Sequence, residues 1–342
     1  MMQMMMMNFK TGGGSSFLAV AQGVTPFVSV YSMAAEVFGA RSSDPGTLPG
    51  TNARGVSFNN DGTALAVAHE DSPFISAYPM VNGVFGTKAT NPASLPASNS
   101  YGADFSADGT VLAVAHPVTP YIDVYPMTGS VFGTRATNPA TLPAGNGFGA
   151  GFNHDGTALA VAHGATPYIN VYPMTGSVFG TKASDPSTLP DASGNDAAFN
   201  SDGTVLAVAH NGSPYITVYP MTGSVFGTKA TNPGTLPIGN AYVPAFNNDG
   251  TVLAVAHNNS PYITVYPMTG SVFGTKATDP ASLPSSAANA VSFNNDGGAL
   301  AGASQATPYV FSYPMTGSVF GTKASDPSTL PSGTGRFATF TR

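Results

Sequence analysis

The sequence predicts an all-β chain folded as a seven-bladed β-propeller, with four-stranded blades of 47 residues and a ring closed by the C-terminal strand. Three observations carry this. Leu18, Leu65, Leu112, Leu159, Leu206, Leu253 and Leu300 recur at a constant interval of 47 residues, a period that belongs to propeller blades rather than helical solenoids. Each period is filled with short alternating apolar runs separated by Asn, Asp, Gly and Pro turns. Residues 12–340 span seven whole periods, so the array is complete.

The repeat at residues 54–100 shows how each element arises. Residues 55–59 form a first strand, and Asn59-Asn60-Asp61-Gly62 turns the chain because these residues tolerate the positive φ of tight hairpins. Residues 65–69 form the second strand, Leu-Ala-Val-Ala-His, with Leu65 and Val67 on one face and two alanines on the other. After a Ser72-Pro73 turn, residues 74–78 form the third strand, which Pro79 is expected to end because it lacks an N–H. Residues 84–87 form the fourth, outermost strand. The segment at residues 91–96, punctuated by Pro92 and Pro96, returns the chain to the axis.

The phase of the repeat also predicts how the ring closes. Phe58, Phe105, Phe152, Phe199, Phe246 and Phe293 end the inner strand of successive repeats, and the seventh member of the series is Phe340. Residues 336–341 should therefore insert as the inner strand of the blade whose other strands come from residues 17–41, leaving no open edge. Thr11 has the same phase as Phe340, but the aromatic alternation of the C-terminal segment fits the slot better. This divides the chain into a Met-rich N-terminal tail, residues 1–11, and a propeller, residues 12–342.

Composition narrows the function classes. Hydrophobic residues at 42% suffice for a packed core, and 40 Gly with 29 Pro suit a chain that turns every few residues. Only 8% of residues are charged, and a net charge of −6 offers no general attraction to nucleic acid or to an anionic membrane. The absence of Cys excludes disulfides and thiolate metal sites. The Met run at residues 1–7 lacks the pattern of a secretory signal, and no segment is apolar enough to cross a bilayer as a helix, so classical export is not expected.

The Phe-Asn-Asn-Asp-Gly-Thr turn at residues 58–63, the small-residue second strand and the aromatic end of the third strand resemble WD40 and YVTN-type propeller repeats, across nearly the whole chain. Where WD40 repeats end their third strand in Trp-Asp, this chain has Tyr-Pro at Tyr78-Pro79, Tyr125-Pro126, Tyr172-Pro173, Tyr219-Pro220, Tyr266-Pro267 and Tyr313-Pro314, and it has no Trp. The hydrogen-bonded tetrad of that family is therefore not carried over. Near-identical, weakly charged blades are similar to those of propeller proteins of bacteriophage particles and environmental bacteria, and the phage resemblance implies a virion setting.

Several repeated residues invite a chemical reading. His69, His116, His163, His210 and His257 end the second strands, with Gln22 and Ser304 at the two remaining places. Sheets about 10 Å apart with side chains pointing the same way round cannot converge on a zinc ion at bonds of about 2 Å, so a structural hydrogen-bonding role is expected. His154 stands alone in a turn. Arg41, Lys88, Arg135, Lys182, Lys229, Lys276 and Lys323 share one phase on the outer strand, with Asp or Asn three residues later, a pattern of edge protection and local pairing rather than polyanion binding. The Asp61 series lacks the spaced oxygen ligands of a calcium loop and is read as turns.

No nucleophile elbow, phosphate-cradling loop, zincin pair or thiol occurs, so no catalytic residue, metal site or cofactor is assigned. The repeats disagree most at the entry to the inner strand, where one phase holds Arg54, Tyr101, Phe148, Asn195, Tyr242, Asn289 and Arg336. Aromatic, amide and guanidinium groups are enriched in binding surfaces. The loops between second and third strands vary as well, and they belong to the same rim. The expectation is a non-enzymatic structural or interaction protein of the virion, or of the host cytoplasm during assembly. Its variable face would bind a protein or a cell-surface glycan, not nucleic acid or membrane, and the Met-rich tail would serve assembly. The alternative is a lactonase-like or sugar-binding propeller with a site at the central axis, using Asp104, Asp196 or the arginines, although those carboxylates look sparse and unpaired in the sequence.

Overall fold

A computed structural model describes residues 16–341, and the Met-rich tail, with the roles expected of it, lies outside the described residues. Twenty-eight strands form seven four-stranded antiparallel sheets, with no helix among the described residues. Blade 1 combines Ser16–Gln22, Val28–Ala34 and Val37–Arg41 with the C-terminal Gly335–Phe340 as its inner strand. Blades 2 to 7 follow in chain order. Their inner strands are Ala53–Phe58, Gly102–Phe105, Gly147–Phe152, Gly194–Phe199, Ala241–Phe246 and Ala288–Phe293. Neighbouring inner strands touch all the way round, including Gly335–Phe340 against Ala53–Phe58.

Closure follows the expected register. Leu18 pairs with Phe340 and Val20 with Ala338, and Phe17 and Thr341 exchange two further bonds, from Phe17 N to Thr341 Oγ1 at 3.1 Å and from Thr341 N to Phe17 O at 2.9 Å. The core lies between blades. The second strands are buried on both faces, and their alanines let adjacent sheets approach while Leu and Val fill the space between them. The third-strand tyrosines are also buried. Each hydroxyl donates to a carbonyl of the return segment that leads into its own blade, as from Tyr78 to Thr47 O at 2.9 Å and from Tyr219 to Thr188 O at 2.7 Å. Tyr31 does the same to Thr329 O at 2.9 Å, which ties the last return segment to the first blade.

Two local readings need correction. Pro79 does not end its strand, which runs Ile75–Val81 with Pro79 paired in register with Ala64. Its carbonyl faces the outer side, where it accepts from Gly86 N, so the missing N–H falls where the ladder has already stopped and nothing is lost. The outermost strand is accordingly shorter than expected, only Val84–Phe85 in blade 2.

The repeated polar residues mostly serve the frame. His69, His210 and His257 are buried and bond through Nε2 to Ser76, Thr217 and Thr264 of the third strand of their own blades at 3.0, 2.9 and 2.9 Å. His116 meets the buried Asp123 at 3.1 Å, and Arg135 pairs with the same carboxylate from outside. Among the described residues no cluster of three or more His or acidic side chains converges. Lys182, Lys276 and Lys323 pair with Asp185, Asp279 and Asp326 on the circumference, and Asp61 accepts from Thr63 N within its turn.

Candidate active site

All seven variable residues, Arg54, Tyr101, Phe148, Asn195, Tyr242, Asn289 and Arg336, line one mouth of an axial cavity of about 670 Å³. Each is half-buried, and the cavity continues between the inner strands to the opposite turns, where Asn60, His154, Asn248 and Asn295 line its far end. His154, which stands alone in its turn, therefore borders the channel while remaining exposed.

The mouth has a cationic sector and an aromatic sector. Arg54 and Arg336 stand in adjacent blades. Arg54 pairs with Glu70, its Nε donating to Oε1 at 2.7 Å, while Asn52 donates to Oε2 at 2.7 Å. Burial opposes ionisation of Glu70, but the bonds from Asn52 and Arg54 and the charges of both arginines hold its carboxyl below the ordinary range. One acid thus serves two guanidinium groups. Arg336 Nε is buried without a hydrogen-bond partner, and burial together with the neighbouring Arg54 lowers its proton affinity. A cation with an unfilled donor beside a second cation favours a ligand that brings negative charge or electron-rich oxygen.

Tyr101 and Phe148 continue the ring as a stacked pair with centroids 5.8 Å apart and planes at 22°. The guanidinium carbon of Arg54 lies 5.5 Å from the Tyr101 centroid. Asn195 and Asn289 spend their amides on the frame. Each donates to a carbonyl of the next inner strand, Ala241 O at 2.6 Å and Gly335 O at 2.7 Å, so they rigidify the mouth.

Below the mouth, among the described residues, the wall contains two carboxyl groups, Asp104 and Asp196. They flank the glycine-rich inner strand of blade 4, Gly147–Phe152, from its two sides. Asp104 reaches forward from blade 3, where Oδ2 accepts from Phe152 N at 3.0 Å and Oδ1 from Ser57 Oγ at 3.2 Å. Asp196 leans back from blade 5 into the space above Gly149, which a Cβ would fill. Burial pushes the Asp196 carboxyl up to about 8; the Ala197 amide opposes this, and the charge of Asp104 adds to it. The two acids therefore reach one strand from the blades on either side, at Phe152 and at Gly149, contrary to their sparse appearance in sequence. Phase comparison missed the pairing because Asp104 is equivalent to Ser57 and Asp196 to Gly55, two different layers of the strand.

No protein-family model matches the chain, and no curated protein does. Solved structures do. A Bacteroides uniformis protein assigned as a 6-phosphogluconolactonase is similar over 95% of this chain and 99% of its own, with a TM-score of 0.70 and 12% identity. The periplasmic gluconolactonase of Pseudomonas aeruginosa is similar over 96% and 99%, with a TM-score of 0.68 and 14% identity. Hydrazine synthase of Kuenenia stuttgartiensis is similar over 85% and 90%, with a TM-score of 0.58 and 13% identity.

At this identity the likeness establishes the fold. It also overturns the expectation of a non-enzymatic virion component. These three carry enzyme names and none is a phage particle protein, which counts against the expected virion role. Nothing ties the repeat to WD40 proteins in particular.

Proposed function

We propose that the chain is a hydrolase for cyclic esters of polyhydroxy acids, acting in the axial cavity. The observation that carries this reading is the broken symmetry of the axial wall: sevenfold repetition is kept in the core, yet the cavity presents two arginines, an aromatic stack and two carboxyls in unlike blades. A catalytic site on a symmetric ring needs such unlike groups at equivalent places, whereas a purely structural channel does not. The lactonase names of similar propellers support the reaction class.

The parts suit an oxygen-rich ring. The Arg54–Arg336 sector supplies positive charge for a carbonyl oxygen that becomes an oxyanion, or for an anionic substituent beside it. The Tyr101–Phe148 pair offers an apolar plane for the C–H face of the ring. A cavity of about 670 Å³ accommodates one such molecule with water.

Proton release from δ- and γ-aldonolactones, with and without a phosphate group, tests the proposal. The expected result is a saturable, protein-dependent rate above spontaneous hydrolysis for at least one of them. Equality with the spontaneous rate across the panel would overturn it.

A further inference from the structure

We propose that Asp104 and Asp196 form an acid–base pair across the inner strand of blade 4, with Asp104 as the base and Asp196 as the acid of lactone opening. This rests on the hydrolase reading and adds the groups that move the protons. Three observations carry it. The two side chains reach the same strand from opposite sides, Asp104 to Phe152 N and Asp196 over Gly149. They are the carboxyls lining the cavity among the described residues. Finally, each occupies a phase that is uncharged in every other blade: Ser, Gly, Ala or Thr at the place of Asp104, and Gly, Val, Ala or Phe at that of Asp196.

The environments divide the roles. Asp104 accepts hydrogen bonds from Ser57 and Phe152, which favours a carboxylate able to take a proton. Asp196 overhangs Gly149, and burial pushes its carboxyl up to about 8, which favours the protonated form at neutral pH. The other titratable groups lining the channel are Arg54, Arg336, Tyr101, Tyr242 and His154, the first four at the mouth and the last at the far end. Two carboxyls held in different protonation states are the usual arrangement for concerted acid and base work.

The step balances without a further reactant. Asp104 takes a proton from water as its oxygen bonds to the lactone carbonyl carbon. The ring carbon–oxygen bond then breaks, and the departing alkoxide takes the proton of Asp196. The product is the open hydroxy acid, and the pair resets when the proton on Asp104 returns to Asp196 through cavity water.

The test compares the native chain with Asp104→Ser and Asp196→Ala, residues that other blades carry at these phases as Ser57 and Ala290, so folding is expected and is checked by thermal melting. Lys229→Ala on the circumference is the control. Each variant should lower kcat by about 10²-fold or more, and each should remove one limb of the pH–rate profile. ¹³C NMR of the Asp carboxyls gives a readout without substrate: one carboxyl should titrate far above the others, and Asp104→Ser should move it down.

Native activity with unchanged kcat and pH profile in both variants overturns the pair and leaves the hydrolase reading intact. A native chain inactive on every lactone overturns both. A carboxyl spectrum in which Asp196 titrates with the ordinary acids overturns the division of roles.

Discussion

Gly149 and Asp196 belong to adjacent blades, and the aspartate occupies the volume that a side chain at Gly149 would need. A Cβ there would overlap Asp196 Oδ1 and stand 2.8 Å from Asp196 Cα and 2.9 Å from Asn195 O. Much of that obstruction is backbone, so it cannot swing away. The Gly149→Ala variant should therefore lose about 1–3 kcal/mol of stability in urea denaturation, together with activity. Gly46→Ala, where nothing lies within 4 Å, should be close to neutral. Equal stability of the two variants would show that Asp196 is not seated as described.

The closing strand makes a second prediction. Phe340 is 2% exposed and paired with Leu18 across the only sheet built from both ends of the described chain. Phe340→Ala should cost about 3–5 kcal/mol, the usual range for a buried aromatic. Deleting residues 335–342 should expose the edge of Ser16–Gln22 and promote aggregation, read by light scattering. A truncated chain that stays monomeric with an unchanged melting temperature would contradict the closure.

Acid stability depends on the buried histidines. Burial lowers His69, His163, His210 and His257 to about 4, against about 6.5 for an ordinary imidazole. Above pH 6.5 these rings are neutral in both folded and unfolded chains, and their contribution is fully present. As pH falls from 6.5 toward 4 the unfolded chain binds protons that the folded chain refuses, and stability is lost, by up to about 3 kcal/mol for each ring. Melting temperature should decline across this window. His210→Gln should flatten the decline, since Gln22 already fills the equivalent place in blade 1. An unaltered slope in that variant would sink the attribution.

The cationic sector should govern substrate affinity. Arg336 has a buried Nε without a partner, while Arg54 is already paired with Glu70. Arg336→Met should therefore raise KM for an anionic lactone roughly tenfold or more, by analogy with the loss of a charge-assisted bond. Stability should hold or rise, because a half-buried cation with an unfilled donor is removed. A variant with native KM and reduced stability would assign Arg336 to the frame.

The fold was legible in the sequence because packing between blades forces each period to repeat the same Leu, Ala, Tyr and Phe. The closing register followed from the phase of Phe340 together with the aromatic alternation that favours its segment over Thr11. Pro79 was misread because the rule that proline ends a strand depends on which side its nitrogen faces, and the short outer strand decides that. The seven residues from Arg54 to Arg336 were found by their disagreement, but a cavity mouth and an open face give the same variable phase. The Asp104–Asp196 pairing was invisible, since it joins different phases from blades that are not neighbours, and only the glycines of blade 4 bring them over one strand.

Where the ligand sits tests the account most directly. A crystal structure of the chain with the hydroxy-acid product of its best lactone should show the acid in the axial cavity, with oxygen atoms on Arg54 and Arg336 and its chain directed toward Asp104 and Asp196. Product bound on the circumference or confined to the far end by Asn60, His154 and Asn248, with the arginine sector empty, would contradict the assignment of the axial site.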